Sequence, residues 1–383
     1  MSVYAHSPSF PDGPPELLRA QLLEVSAGAR RRAEKFGAGD WGDLVGWLHD
    51  FGKIDPRFQA RLSGSKASFD HAGPGAALAN ALYHSFAASI LAPIIAGHHT
   101  GLMDATRDGE AAARRLAPLD DRLRDCGVDL GLQKAAWLAE GLPYPPAPVG
   151  PSIKPRKEAE AKDRDAAGAF CLAFFVRMVF SALVDADFIA TETFYEPKDR
   201  GFPYVGLTDL KARLDRFLAE QAERARRDRP GPLNHARAAI LAASRVGAAE
   251  PQGVFTLSAP TGGGKTLASL AFALDHAVRH NLDRVIVVIP FTSVVEQTAD
   301  VFRKALGRED VVLEHHGAFD DTKIGRERDA PEMRDKLRLS QENWDAPIVV
   351  TTASRKARLE FSKRCQRSAT CSACGKALAM ASP

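Results

Sequence analysis

His49-Asp50, then His71, the adjacent pair His98-His99 and finally Asp185 form an ordered series of metal-type donors. Neutral imidazole nitrogen and anionic carboxylate oxygen are what a divalent transition metal takes from a protein. The chain holds 11 histidines, so this series is a concentration rather than a scatter. Each residue also has a plainer role. A lone histidine is usually a surface or satisfied core side chain, His98-His99 could close a helix where positive charge is favoured, and Asp185 could cap one. The joint order carries the metal reading. Downstream, Ala259-Pro-Thr-Gly-Gly-Gly-Lys265-Thr266 has the form of a phosphate-binding loop. A metal centre and a nucleotide loop in one chain point to an enzyme acting on phosphate esters.

The elements that must position these residues follow from apolar periodicity. Leu18, Leu22, Val25 and Ala29 recur at spacings of three and four, so residues 15–36 are expected to form a helix. Asp43 to Phe51 forms a second, ending at Gly52, with His49 and Asp50 at its C-terminal end. Gly75 to Ala96 is a further apolar stretch delivering His98-His99. A buried helix over 166–187 delivers Asp185 and Asp187. Residues 141–156 contain six prolines and are expected to be an exposed loop or insert. The amphipathic, arginine-rich helix 207–227 ends at Asp228-Arg-Pro-Gly-Pro232, which reads as a domain boundary.

Beyond it the pattern changes to alternating strand and helix. Strands are expected at 254–257, 283–289, 311–313 and 348–351, and helices at 267–280 and 294–306. That alternation implies an α/β domain with a parallel sheet, after a first half that is all helix. In the loop that follows the strand at 254–257 and opens the helix at 267–280, glycines let backbone N–H groups approach phosphate and the helix N-terminus adds a favourable dipole. Gly262, Gly263 and Gly264 would cradle the phosphates of ATP, Lys265 would reach the β and γ phosphates, and Thr266 would bind Mg²⁺.

Composition narrows the class. With 383 residues, 45% hydrophobic and 26% charged, two domains of a soluble globular protein are the natural expectation. The 51 basic and 48 acidic residues balance to +3, so nucleic-acid binding would need a local groove rather than the overall field. The apolar run from Ala169 to Val184 contains Arg177 and is short for a membrane span. No signal peptide is visible, and five unevenly spaced cysteines give no disulfide framework. A cytoplasmic protein with no membrane partner is expected.

His49-Asp50-Phe-Gly-Lys53, Asp70-His71, Gly97-His98-His99-Thr-Gly-Leu102 and Ser181-Ala-Leu-Val-Asp-Ala-Asp187 resemble the HD phosphohydrolase domain of the type I CRISPR nuclease–helicase. Tyr4-Ala-His-Ser7 is similar to that family's start. Ile289-Pro-Phe-Thr-Ser-Val-Val-Glu-Gln297, Glu314-His315-His316 and Ile348-Val-Val-Thr-Thr352 are similar to motifs of its helicase part, of superfamily 2. The resemblance covers roughly residues 1–352. It implies an all-α HD domain (1–227) followed by a partial RecA-like P-loop lobe (228–352). It further implies two-metal hydrolysis of single-stranded DNA, in antiviral defence with a CRISPR RNA-guided surveillance complex. By the same resemblance Asp50 bridges two ions of Mn, Fe, Co or Ni. His71, His98 and His99 hold one, His49 with Asp185 helps hold the other, and Lys53 faces the scissile phosphate.

Two departures stand beside it. The family carries a further histidine on its first helix, in a His-Leu-x-x-Val setting where this chain reads Gln21-Leu-Leu-Glu-Val25. Amide oxygen is a poorer transition-metal ligand than imidazole, so one site should be weakened unless His6 substitutes. No Asp-Glu pair follows Asp345, so the acidic box for ATP hydrolysis is missing and motor activity is not expected of this chain. Residues 353–383, with Cys365, Cys371 and Cys374, read as an atypical disordered tail with too few ligands for a structural zinc site. A non-catalytic remnant that binds nucleotide or nucleic acid is the alternative function.

Overall fold

A computed structural model of the chain describes residues 2–102, 119–124, 126–150, 161–197, 204–228, 231–315, 344–352 and 377–381. It divides into two compact units, Met1–Lys198 and Asp199–Pro383.

The first unit is helical apart from one short antiparallel pair, β1 (Tyr4–His6) with β2 (Glu16–Leu17). Its helices are α1 (Leu18–Glu34), α2 (Gly39–Leu48), α3 (Pro56–Leu62), α4 (Ala72–Leu82), α5 (Ser85–Gly97), α6 (Leu119–Arg124), α7 (Leu130–Ala139) and α8 (Ala161–Tyr195). A 3-10 turn at Phe51–Ile54 joins α2 to α3. Leu18, Leu22, Val25 and Ala29 of α1 are all buried, as their spacing requires, and join Leu44, Leu48, Ile94, Phe180 and Leu183 in one core.

The apolar run before His98 resolves into two helices because His84 caps the second, its Nδ1 accepting from Ala87 N at 3.3 Å. Helix α8 starts before the expected 166 and continues past 187. Its segment Gly168–Tyr195 is long and apolar enough to cross a membrane, and half of its most apolar stretch is buried within the fold. Val179 to Ala186 pack in the core, whereas Phe170 and Phe174 are exposed. The described part of the proline-rich segment has no regular structure, as expected. It is nevertheless tied down: Trp41 Nε1, Trp137 Nε1 and Tyr83 Oη donate to the carbonyls of Val149, Pro143 and Pro145. Tryptophan and tyrosine bury their rings and spend their single donors on a backbone that prolines leave without N–H groups.

The second unit is α/β. Helices α9 (Leu207–Asp228), α10 (Pro232–Gly247), α11 (Lys265–Arg279) and α12 (Thr292–Leu306) accompany strands β3 (Arg284–Ile289), β4 (Val312–His315), β5 (Ile348–Thr352) and β6 (Ala377–Ala381). All four strands are parallel, in the order β4-β5-β3-β6. Strand β3 is buried throughout, which is why it reads as an unbroken β-branched run.

Three expectations change here. The units divide at 198/199 and not after 227, because Leu207, Leu210 and Leu214 of α9 are buried with Leu274 and Phe302 of the α/β core. Lys211 and Arg245 reinforce this by pairing with Asp215 and Asp275 across α9, α10 and α11. Residues 254–257 form no strand, and Val254 is 98% exposed. A strand needs a ladder partner, and β3 spends its free edge on β6. That strand lies in the tail expected to be disordered. Cys365, Cys371 and Cys374 fall outside the described residues, as does His316.

Candidate metal centre and nucleotide loop

The histidines and Asp50 reach one place from separate element ends, and Asp187 joins them from within α8. His49 caps the C-terminus of α2, and Asp50 opens the 3-10 turn that carries Lys53. His71 immediately precedes α4, and His98 caps α5 with His99 next. A carbon on Gly52 would lie 2.3 Å from the His71 carbonyl oxygen, so only glycine lets the turn and the start of α4 meet. Arg122 of α6 closes the frame: it clasps Asp70 with Nη2–Oδ2 at 2.6 Å and donates Nη1 to the Ala96 carbonyl at 2.8 Å. One guanidinium thus ties the residue before His71 to the turn before His98.

Asp50, His71, His98 and His99 offer ligand atoms lying within 4.8 Å of one another. Asp50 Oδ1 is 3.4 Å from His71 Nε2 and 3.6 Å from His98 Nε2. Edges of about 3.4 Å are what four donors around an ion bonded at about 2.1 Å would have. His71 Nε2 and His99 Nε2 approach to 2.8 Å. His98 Nδ1 lies 2.7 Å from the Ile95 carbonyl, which can only accept, so Nδ1 carries the proton and Nε2 presents a lone pair. Asp50 Oδ1 and His98 Nε2 are buried without a hydrogen-bond partner. Buried polar atoms left so carry a desolvation cost, and a divalent ion would relieve both. The residues therefore fit a transition-metal ion.

Electrostatics separates the ring set into two kinds. Burial pushes His71 down to about 4, with Asp50 opposing. Burial of the inner face and the neighbouring His98 push His99 down to about 3. Both rings are neutral at ordinary pH, the form a metal would need. His49 is the opposite case: burial would lower it, but the Asp50 charge and hydrogen bonds with Asp187 and Asp50 raise it to about 10. With Nδ1 2.8 Å from the Gly46 carbonyl, its Nε2–H points between Asp50 Oδ2 at 3.1 Å and Asp187 Oδ1 at 3.4 Å. Burial opposes ionisation of Asp187 too, yet His49 holds it down at about 2, and His49 with Lys53 holds Asp50 well below the usual carboxylate range.

Each sequence-derived residue can now be placed. His49, Asp50, His71, His98 and His99 converge. Lys53 also arrives, but its Nζ is buried 2.7 Å from Asp50 Oδ2 rather than held out toward solvent. Asp185 does not converge: its carboxylate pairs with Arg32 of α1. Asp187 takes the place assigned to it, grouped with His49 and His98. Two residues apart on a helix is about 200° of rotation, so only one of the two carboxylates can face the histidines. Gln21 is the other residue drawn in, its Nε2 donating to Asp50 Oδ2 at 3.0 Å and Asp187 Oδ1 at 3.2 Å.

The nucleotide loop lies in the second unit. Gly262 and Gly264 adopt φ of 80° and 81°, left-handed values that favour glycine, and Gly264 caps α11. Lys265 and Thr266 open that helix, where free N–H groups and the dipole favour phosphate. Arg237 of α10 donates Nε to the Gly262 carbonyl at 2.9 Å, bracing the loop from outside.

Residues 239–372 match the DEAD/DEAH box helicase family model, extending past the point where the sequence motifs stop. No curated protein matches the chain in sequence. Among solved structures it is similar to T. fusca Cas3 with ATP, at 16% identity and a TM-score of 0.57, covering 99% of this chain and 46% of that one. The ADP form gives 18% identity and 0.56 over 98% and 46%, and the AMPPNP form 16% and 0.55 over 99% and 46%. At such identity the likeness is one of fold, and the chain spans about half the length of those proteins. A helicase-type domain in a Cas3-like fold, behind a helical unit that gathers four histidines and two aspartates, is the architecture of this chain.

Proposed function

We propose that the helical unit is an HD-type metal-dependent nuclease that hydrolyses phosphodiesters of single-stranded DNA. It is joined to an ATP-binding lobe of helicase type. The setting we propose is CRISPR antiviral defence beside an RNA-guided surveillance complex, in line with the Cas3-like fold. The observation that carries this reading is the set Asp50, His71, His98 and His99, with Asp50 Oδ1 and His98 Nε2 buried and unpartnered. A divalent ion of Mn, Fe, Co or Ni there would supply Lewis acidity and a lowered pKa for attacking water. The protein's own part is to keep His71 and His99 neutral, fix the His98 tautomer through Ile95, and hold Asp50 ionised with Lys53. Lys53 is then poised to exchange Asp50 for a phosphate oxygen. A two-ion scheme would draw on His49, His98 and Asp187, the second group of donors, with Asp50 beside them.

A non-catalytic remnant is favoured by one observation: Asp50 Oδ2 is already engaged by Lys53, Gln21 and His49. Circular single-stranded DNA, which has no ends to trim, separates the two readings. Protein loaded with each of the four metals is expected to linearise it, and Asp50→Ala to reduce the rate by roughly 10²–10³-fold or more. No cutting with any metal would sink the nuclease reading. Cutting that survives Asp50→Ala would place the activity elsewhere.

A further inference from the structure

Asp50 presents its two oxygens to two different environments. Oδ1 faces His71 and His98 and has no hydrogen-bond partner, whereas Oδ2 is crowded with nitrogen donors. Lys53 Nζ lies 2.7 Å from Oδ2 and Gln21 Nε2 3.0 Å from it. The same Gln21 nitrogen is 3.2 Å from Asp187 Oδ1 and 3.4 Å from His49 Nε2. It therefore sits among one donor atom from each of Asp50, Asp187 and His49, where an ion bridged by Asp50 would have to be. Gln21 is fully buried on α1, so this placement is built in by packing and is not a surface rotamer.

The orientation of the amide follows from its neighbours. Two carboxylate oxygens demand a donor, so the NH₂ end faces them, and Oε1 is left buried without a partner. The reverse orientation would set a carbonyl oxygen against two anions.

We propose that this chain is a one-ion variant of its metal centre: the Gln21 carboxamide stands between Asp50 and Asp187 in place of a second cation, and the Lys53 ammonium neutralises Asp50 beside it. The inference rests on the metal reading of the helical unit and concerns its nuclearity. Asp50 Oδ1, His71, His98 and His99 remain for the single ion. The amide supplies two N–H donors, enough to satisfy one oxygen of each carboxylate, but no lone pair on that side for a metal. Gln21→His would exchange the donor for an imidazole nitrogen able to ligate. Gln21→Ala would simply remove it.

Metal counting tests this without recourse to activity. The full chain is saturated with Mn²⁺, freed of excess by gel filtration, and its bound manganese is counted and recorded by electron paramagnetic resonance. The expected result is one ion per chain with an isolated six-line signal. Gln21→His and Gln21→Ala, each checked for its helical circular dichroism, should take up a second ion about tenfold more tightly or better. They should also show an exchange-coupled spectrum. Two coupled ions in the unaltered chain would overturn the proposal, as would one ion in both folded variants. No ion in any of the three would instead overturn the metal reading beneath it.

Discussion

Asp50 combines two demands that a buried carboxylate seldom meets together. It must stay ionised without water, and it must keep one oxygen free for a ligand. Three nitrogens on Oδ2 meet the first demand, and the unpartnered Oδ1 meets the second. The histidines around it carry opposite biases, and this sets a stability profile for the metal-free protein. His71 falls to about 4 in the folded chain from 6.5, so folded protein binds fewer protons between those values. The neutral ring therefore contributes stability that is fully present above about pH 6.5 and lost as pH falls through 4. His49 rises from 6.5 to about 10, so its contribution is fully present below 6.5 and lost as pH rises through 10. Thermal melts in chelator are expected to peak near neutrality and to decline on both sides. A melting temperature that keeps climbing from pH 7 to 10 would show that His49 is not the imidazolium held by Asp50 and Asp187.

At the scale of elements, the centre depends on how closely helix ends approach. The turn carrying Asp50 and the segment carrying His71 are in backbone contact at Gly52, where an added carbon would meet the His71 carbonyl oxygen at 2.3 Å and its Cα at 2.8 Å. Backbone cannot yield as a flexible side chain can, so Gly52→Ala must shift one element against the other. It is expected to destabilise the helical unit by about 1–3 kcal/mol, read by denaturant unfolding. It should also lower Mn²⁺ affinity by roughly 10–100-fold through the displaced His71, read by calorimetry. An unchanged affinity would mean that His71 and Asp50 do not share an ion. Element boundaries explain the sequence-level surprises as well. The resemblance assigned Asp185 to the site, yet α8 turns Asp187 toward the histidines and Asp185 toward Arg32. Nothing local to that helix distinguishes them, because the choice is made by α1.

At the scale of the molecule, the two candidate sites lie in two compact units, and each unit has its own core. Lys265→Ala removes the cation expected at the nucleotide phosphates and leaves every residue of the metal centre untouched. ATP binding, followed by fluorescence of a labelled analogue, is expected to fall by at least about tenfold. Metal-dependent cutting of circular single-stranded DNA should be unchanged. Loss of cutting in that variant would mean that the units are energetically coupled. The α/β unit holds a four-stranded parallel sheet whose β3 pairs with β5 on one side and β6 on the other. The residues leading into the phosphate loop are left outside that ladder, with Val254 exposed.

Much of this was legible along the chain, for physical reasons. Donor types and their order mark a candidate metal centre, because few other tasks ask for imidazoles and carboxylates in such a series. A glycine loop opening a helix marks phosphate binding, and β-branched runs alternating with helices mark a parallel sheet. Periodicity located α1 and β3 because each buries a face set by its own backbone geometry. What periodicity could not reach was partnership between distant segments. Gln21 of α1 meets Asp50 of the turn after α2, Asp187 is selected over Asp185 by residues far upstream, and α9 joins the second core although its sequence borders the first. A tail segment pairs with β3 at an edge that no local pattern reserves for it. The kinds of ligand are properties of single residues and so are written in the sequence. Which carboxylate faces the centre, and whether an amide already fills the second position, are properties of packing.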